Sequence, residues 1–295
     1  MLRSTWAFAR PHTIIGTTLA VIVFYVLTAS VAGRYDTKIL LGTLIAGLAV
    51  NLYVVGINQI TDVEIDRINK PYLPLASGAF SMRTGMAIVG MSAVVALCVS
   101  ALQNIYLFWT IAIILAIGTA YSLPPLRLKQ SAFWAAASII TARAVVFNLG
   151  LTLSYAAALL GRPTVPARVL LFVGFMFGFV TVIAIMKDVP DIDGDRRHKI
   201  FTLVLRLGAR RTLLLCRLLL TTCYVATAAA AALAGVGGIS TPVLVTCHVV
   251  ALLALWVRGY GLQAEDPASV SRFYMFVWKL FYGEFLAFLV ACLAA

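Results

Sequence analysis

Long apolar stretches alternate with short polar segments along almost the whole chain. A helix that crosses a bilayer needs roughly 20 apolar residues, and about nine stretches are of that length. They cover 13–32, 38–58, 85–103, 105–123, 132–156, 168–187, 212–234, 239–257 and 275–294. Gly and Pro residues stand at the ends of several stretches, where helices commonly stop. The pattern predicts an all-α protein, an integral membrane bundle of nine transmembrane helices.

Composition supports a membrane location. Of the 295 residues, 62% are hydrophobic and 12% are charged, too few polar groups to cover a soluble protein of this size. The first apolar stretch is long enough to span and no small-residue cleavage site follows it, so we expect a span there and not a secretory signal. No linker interrupts the pattern, and we expect residues 1–295 to form a single transmembrane domain. The Ala-, Leu- and Arg-rich composition favours a bacterial plasma membrane.

Basic residues are concentrated in alternate connecting segments. The net charge is +12, and the positive residues lie mainly before the first span and in the second, fourth, sixth and eighth loops. The positive-inside rule therefore places the N-terminus and these loops in the cytoplasm and the C-terminus outside. This distribution argues against nucleic acid as a partner. We expect the lipid bilayer as the surroundings and no protein partner.

Seven of the 11 acidic residues form two short clusters. The first contains Asn58, Asp62, Glu64 and Asp66, and the second contains Lys187, Asp188, Asp191, Asp193 and Asp195. The predicted topology places both clusters on the cytoplasmic side. Carboxylates are costly next to hydrocarbon, so such a concentration requires a partner.

The spacing within the clusters favours a metal site. Asn58, Asp62 and Asp66 are four positions apart, which places them on one face of a helix, and Asp191 and Asp195 repeat the spacing. Like charges about 4 Å apart repel by roughly 4 kcal/mol at an effective dielectric near 20. Two Mg²⁺ ions would offset the repulsion and leave coordination positions for a diphosphate. The alternative is a set of solvated loop acids in weak surface pairs with Arg and Lys.

Both acidic segments, Asn58–Asp66 with its continuation to Gly78 and Lys187–Asp195, resemble the signature motifs of the UbiA superfamily of intramembrane prenyltransferases. The first motif begins with Asn58-Gln59, which resembles the homogentisate prenyltransferase branch, since that branch has Asn-Gln at a place where many other members of the superfamily have Asn-Asp. Further matching stretches are Arg10–Thr17, Gly118–Lys129, Asn148–Gly150 and Phe276–Phe281. The resemblance covers nearly the whole chain.

This resemblance implies nine helices around a central cavity, in which Mg²⁺ assists the transfer of a prenyl group from a prenyl diphosphate to an aromatic acid. The implied metal ligands are Asp62 and Asp66 with Asn58 assisting for one ion, and Asp191 and Asp195 with Asp188 nearby for the second. We expect catalysis to depend on the four aspartates Asp62, Asp66, Asp191 and Asp195.

The chemistry of the implied reaction suggests roles for basic residues. Loss of diphosphate leaves an allylic cation, and the leaving group carries about three negative charges that metal ions and basic side chains must stabilise. Candidates for this cationic shell are Lys70, Arg127, Lys129 and Lys187, each of which could equally be a loop charge that sets the topology. Apolar walls would exclude the water that otherwise quenches the cation.

Four further residues in or near membrane segments are candidates to face the acceptor or the cation. They are Arg10, Tyr121, Arg143 and Asn148. A charge within a span is a functional candidate by default, so Arg143 binds an acceptor carboxylate or pairs internally. Tyr121 either faces the cation or packs.

Other polar residues receive no functional assignment. The histidines, which are His12, His198 and His248, lack metal-ligand spacing, and all five cysteines lie in apolar stretches. Lys279 either reaches a membrane interface or meets Glu284.

Three other functions fit parts of the pattern. A terpene cyclase of the same superfamily would use the metal site without an aromatic acceptor. A transporter usually carries its acids near the membrane midplane, whereas these lie at predicted helix ends. A phosphatidyltransferase expects an Asp-Gly-x-x-Ala-Arg run ahead of its aspartates, and the sequence has none. We therefore expect prenyl transfer to a hydroxylated aromatic acid of the homogentisate or 4-hydroxybenzoate type, with the prenyl length left open.

Overall fold

A computed structural model describes residues 2–190, residue 192 and residues 202–295. In chain order the helices are α1 (Leu2–Phe8), α2 (Pro11–Ala32), α3 (Thr37–Thr61), α4 (Val63–Asn69), α5 (Met82–Gln103), α6 (Ile105–Ser122), α7 (Ala132–Ile140), α8 (Phe147–Leu160), α9 (Ala167–Met186), α10 (Leu203–Leu207), α11 (Ala209–Ala234), α12 (Thr241–Tyr260) and α13 (Pro267–Leu293). Within these ranges nine spans are long and apolar enough to cross a membrane, where α7 and α8 together form the fifth. The prediction of an all-α integral membrane bundle is confirmed.

The fifth span contains a π-helical turn. This turn, Thr141–Val146, connects α7 directly to α8 without a break in the helical backbone. Such wide turns are rare and are frequently found at functional sites. Arg143 lies within it, so its backbone does not follow the ordinary α-helical register.

Side-chain caps fix several helix ends. Asn104 Oδ1 accepts hydrogen bonds from the amides of Tyr106 and Leu107 at 3.1 and 3.0 Å. Asn104 is therefore the N-terminal cap of α6. Asp266 caps α13 in the same way, and Pro267 occupies the first position of that helix. The last span therefore starts at Pro267 and not at 275, because its cap lies ahead of its apolar part.

The first and last spans pack against each other. α2 contacts α3, α8 and α13, while α9 contacts α11 and α13, so the spans enclose a common interior. Phe24, Phe172 and Phe288 meet inside, with ring centroids 5.6 Å apart for the first two and 4.5 Å apart for the last two. These aromatic rings join α2, α9 and α13.

A close approach of two helices positions the end of α3. A Cβ at Gly56 would lie 2.6 Å from Val89 Cγ2 of α5, a distance that real side chains do not tolerate. Glycine at this position lets α3 lie directly on α5. The segment after Gly56 carries the first acidic cluster, so this packing fixes where its side chains begin.

Candidate active site

The first acidic cluster lies where α3 passes into α4. Asp62 is the residue between the two helices, and the amide of Asp66 donates to the Asp62 carbonyl at 2.7 Å. Helical spacing therefore continues through the junction, and Asn58 Nδ2 donates to Asp62 Oδ2 at 3.0 Å. The predicted single face is confirmed for this pair. Glu64, which the spacing directs elsewhere, is exposed.

The carboxylates on this face are not solvated loop acids. Asp66 is 5% exposed, and the Asp62 side chain is 13% exposed. A buried carboxylate requires a counter-charge or strong hydrogen bonds. The alternative of freely solvated surface acids is therefore wrong for Asp62 and Asp66.

Lys129 and Arg127 reach Asp62 from the segment between α6 and α7. Lys129 Nζ lies 2.7 Å from Asp62 Oδ1, and Arg127 Nη2 lies 3.6 Å from the same oxygen. Both also bind Thr61: Lys129 donates to its hydroxyl at 2.6 Å and Arg127 donates to its carbonyl at 3.4 Å. These contacts place two of the predicted basic residues at the end of α3.

The Lys129 ammonium is held in a buried position. Its side chain is 8% exposed. Burial lowers the pKa of Lys129 below the ordinary value of 10.5, and the Asp62 carboxylate opposes this shift by its charge and its hydrogen bond. An ammonium in this setting gains more from an additional anion than one in water does.

Arg10 reaches the same cluster from the other side. Its Nη2 donates to Asn58 Oδ1 at 3.4 Å. Arg10 and Arg127 have positive φ angles of 50° and 35°, the two such non-glycine residues in the described chain. Left-handed backbone at a non-glycine residue costs free energy and tends to occur at functional sites. Here both residues direct guanidinium groups to the end of α3.

The described part of the second cluster follows α9. Lys187 Nζ lies 2.6 Å from Asp188 Oδ1, and the Asp188 side chain is 15% exposed. Asp191 and Asp195, predicted as ligands of the second ion, lie outside the described residues. The site is therefore described for the first cluster and for the beginning of the second.

Tyr121 lies in the last turn of α6. Its hydroxyl is within electrostatic reach of Asp62, Lys187, Asp188 and Arg10. The C-terminal ends of α3, α6 and α9 therefore bring these charges to one region. This is the arrangement that a ligand with several negative charges requires.

Lys70 also belongs to this region. Its amide donates to the Asp66 carbonyl at 2.7 Å, so Lys70 follows Asp66 by one helical turn. Its charge acts on the imidazole of His12 in α2, as do the charges of Arg10 and Arg143. Lys70 and Arg10 are thus both close enough to His12 for their charges to act on its ring.

Arg143 lies deeper, in the π-helical turn. Its guanidinium carbon is 5.4 Å from the centroid of the Trp278 ring of α13. No ion pair joins Arg143 to a carboxylate of the described residues. An arginine without an anionic partner inside a membrane bundle is suited to bind an anionic ligand.

Asn148 supports the backbone of the π-helical turn. Its Nδ2 donates to the carbonyls of Ala144 at 2.8 Å and Arg143 at 3.3 Å. Its Oδ1 is buried and accepts no hydrogen bond from the described residues. The amide nitrogen is thus engaged with the turn that carries Arg143.

Three neighbours of Arg143 carried no functional assignment from sequence. They are His12, Gly16 and Trp278. They lie in stretches that match the family motifs, but neither spacing nor charge distinguishes them from packing residues. Their proximity to Arg143 arises from the contact between the first and last spans.

The chain is similar to known proteins over nearly its full length. The model of the UbiA prenyltransferase family matches residues 17–280. Homogentisate phytyltransferase of Synechocystis sp. is 42% identical over 295 residues, which are 98% of this chain and 96% of that protein. Homogentisate geranylgeranyltransferase of Triticum aestivum is 38% identical over 296 residues, 96% of this chain and 71% of that protein.

A solved structure shares the fold. The UbiA homolog from Archaeoglobus fulgidus, bound to GPP and Mg²⁺, superposes with a TM-score of 0.64 at 17% identity. The match covers 97% of this chain and 99% of that one.

Proposed function

This chain belongs to the UbiA prenyltransferase family, and on that premise we propose that it transfers a prenyl group from a prenyl diphosphate to the ring of a homogentisate-type aromatic acid within the membrane. One observation carries the proposal. Two basic side chains, those of Lys129 and Arg127, lie against the buried carboxylate of Asp62 at the junction of α3 and α4. The names of the relatives support the aromatic acceptor.

The residues of the first cluster fit a magnesium ion. Asn58, Asp62 and Asp66 offer carboxylate and amide oxygens, the hard ligands that Mg²⁺ prefers, and the A. fulgidus homolog was solved with this ion. We assign them to one ion and Asp191 and Asp195, with Asp188 nearby, to a second. Bound Mg²⁺ would neutralise charge on the diphosphate and make it a better leaving group.

Basic side chains would hold the diphosphate as its bond to the prenyl carbon breaks. Lys129 and Arg127 already lie beside Asp62, and we assign Lys70 and Lys187 to the same proposed shell. With a diphosphate present, the Lys129 ammonium can donate to a phosphate oxygen without leaving its buried position. The Tyr121 ring and hydroxyl would face the allylic cation that forms next to the leaving group.

The acceptor would enter from the side of Arg143. The guanidinium of Arg143 presents paired N–H donors that match a carboxylate, and it has no described carboxylate to bind within the protein. The phenol ring would then attack the prenyl cation at a ring carbon, with the apolar helices excluding water. Arg10 and Asn148 complete the set that we place near the acceptor or the cation.

This arrangement does not favour a terpene cyclase. A hydrocarbon that cyclises after losing its diphosphate has no anionic group for Arg143 to bind. We further propose that residues 1–295 act as one domain in a bacterial plasma membrane, with the N-terminus and the site loops in the cytoplasm. No protein partner or nucleic acid is required for the proposed reaction.

The test is a crossed substrate panel. Membranes that contain the protein are incubated with Mg²⁺, with homogentisate or 4-hydroxybenzoate, and with geranyl, geranylgeranyl or phytyl diphosphate, and products are identified by mass spectrometry. We expect a prenylated homogentisate product that disappears on addition of EDTA. Absence of any prenylated phenol from folded protein would refute the proposal, and a cyclic hydrocarbon from the diphosphate alone would replace it with a cyclase.

A further inference from the structure

His12 lies at the contact between the first and last spans. It is the second residue of α2, directly after Pro11, and the Tyr282 hydroxyl of α13 donates to its carbonyl at 2.8 Å. Its imidazole meets the Trp278 ring edge-on, with centroids 4.8 Å apart. The backbone of His12 is thus fixed to α13, and the direction of its side chain is fixed by Trp278.

Trp278 joins His12 to the Arg143 guanidinium. Both groups contact this one indole, at 4.8 Å for the imidazole and 5.4 Å for the guanidinium carbon. The two polar groups are therefore within reach of one small molecule. The indole Nε1 is itself buried and has no hydrogen-bond acceptor among the described residues.

Gly16 lets the same groups approach α2 closely. It lies one turn after His12, and a Cβ there would be 3.1 Å from Phe281 Cε1, 3.6 Å from Arg143 Nη1 and 3.7 Å from Trp278 Cζ3. The first of these contacts would be tight, and the other two would be ordinary van der Waals contacts. Gly16 is therefore a direct neighbour of both the guanidinium and the indole.

The His12 ring has hydrogen-bonding capacity that the described protein does not use. No side-chain hydrogen bond joins its ring nitrogens to a described residue, and the ring is only partly buried. Three cationic side chains, those of Arg10, Arg143 and Lys70, lie close enough for their charges to act on the ring. Anionic groups of the substrates would bind these cations. The imidazole is therefore suited to hydrogen-bond a neutral polar group of a substrate.

Resting on the proposed function, we propose that His12 determines acceptor specificity, because it accepts a hydrogen bond from a phenolic hydroxyl while Arg143 binds the carboxylate arm of the same molecule. The ligand class is a phenol with an acidic side arm. Trp278 forms the wall that both groups share. Arg10, which binds Asn58, lies on the diphosphate side of His12, so the ring would lie between the acceptor carboxylate and the departing diphosphate.

The experiment compares acceptors that lack one group at a time. Steady-state kcat/KM is measured for homogentisate, for its two monohydroxyphenylacetate analogues and for its methyl ester, with wild-type protein and with His12→Ala. We expect His12→Ala to reduce the discrimination against one monohydroxy analogue by about tenfold or more, since the hydrogen bond to that hydroxyl is gone. Discrimination against the methyl ester and the KM for the prenyl diphosphate should be unchanged.

Two further variants separate this role from a structural one. His12→Asn retains a hydrogen-bond acceptor and should restore part of the hydroxyl discrimination, whereas His12→Phe, which keeps the ring volume, should not. Ile15→Ala, on the same helix but 41% exposed, serves as the matched control and should behave as wild type. Thermal unfolding of each purified variant identifies those that fold.

The outcomes distinguish the two proposals. If wild-type protein prenylates no phenolic acid, the proposed function fails. If wild-type protein is active and folded His12→Ala and His12→Phe keep its full hydroxyl discrimination, or change only the KM for the diphosphate, the assignment of His12 fails while the function stands.

Discussion

The Lys129 ammonium lies 2.7 Å from the Asp62 carboxylate, and the pair connects the segment after α6 to the junction of α3 and α4. Both side chains are largely buried. A carboxylate out of water needs a counter-charge to remain ionised, and Lys129 supplies it. The pair therefore joins a proposed metal ligand directly to a basic residue of the proposed diphosphate shell.

Replacement of Asp62 tests the proposed metal ligand. Asp62→Asn keeps the size of the side chain but removes its charge, and we expect turnover to fall by about 100-fold or more because stabilisation of the leaving group is lost. Glu64→Gln is the matched control, since Glu64 is exposed two positions away. Turnover is measured by mass spectrometry at saturating substrates. Full activity of folded Asp62→Asn would contradict the assignment.

Replacement of Lys129 tests the diphosphate shell. Lys129→Met should raise the KM for the prenyl diphosphate by about 10- to 100-fold, the range for a lost hydrogen bond to a charged group. Lys129→Arg keeps the charge and should recover part of the affinity. The KM for the acceptor should stay unchanged in both variants. Gln130→Ala, at an exposed neighbouring position, is the control, and a KM effect confined to the acceptor would show that the role is misassigned.

Asn148 should act through the π-helical turn. Asn148→Leu removes the donor to the carbonyls of Ala144 and Arg143, and we expect a loss of about 1–3 kcal/mol in the free energy of unfolding. The KM for the acceptor should rise as Arg143 loses its position, while the KM for the diphosphate should not. Thermal unfolding and steady-state kinetics provide the two measurements. An unchanged acceptor KM in a destabilised variant would limit Asn148 to a structural role.

His248 and Glu284 form a buried polar pair that joins α12 to α13. His248 Nε2 lies 3.2 Å from Glu284 Oε1, and Nδ1 lies 3.1 Å from the Tyr224 carbonyl. The carbonyl can only accept, so Nδ1 donates to it, and Nε2 is the ring nitrogen that faces the Glu284 carboxyl. Among the described residues, the hydrogen bonds of this pair's side chains do not reach the groups assigned to the site.

Breaking this pair should destabilise the fold. His248→Leu leaves the Glu284 carboxyl buried without its partner, at a cost of about 3–5 kcal/mol. The double variant His248→Leu, Glu284→Leu should recover most of that loss, and kcat per folded molecule should stay near the wild-type value. Unfolding in detergent gives the double-mutant cycle. Additive losses from the two single changes would show that the pair does not interact.

The membrane spans could be predicted because hydrocarbon imposes a length and an apolar composition on each. Their ends could not be predicted as well. α13 begins at Pro267, ahead of its apolar part, because Asp266 caps it and the first turns of a helix beyond the bilayer need not be apolar. The π-helical turn carries no signal in the apolar pattern, which continues through it.

The site could be predicted where its residues are close in sequence. The spacing of Asn58 and Asp62 was sufficient to place them together. The approach of Lys129 to Asp62 and of His12 to Trp278 depends on tertiary packing, which a single sequence does not encode in any local pattern. The sequence indicated each basic residue as a candidate for the site, but it did not indicate which residue each one contacts.

The partner of Glu284 could not be predicted from the sequence either. Of the two alternatives for Lys279, contact with Glu284 is wrong, since Glu284 binds His248 and Lys279 is exposed. Lys279 and Glu284 are separated by slightly more than one turn of α13 and do not share a face, whereas His248 is brought to Glu284 by α12.

The wide turn Thr141–Val146 holds about one residue more than an ordinary α-helix would over the same rotation. Deleting one residue there would restore α-helical turns and leave α8 close to its present orientation. The hydrogen bond from the Tyr155 hydroxyl to the Val21 carbonyl should therefore survive such a deletion. The residues that would turn are those of the widened segment itself, so the guanidinium of Arg143 would no longer point at the Trp278 ring.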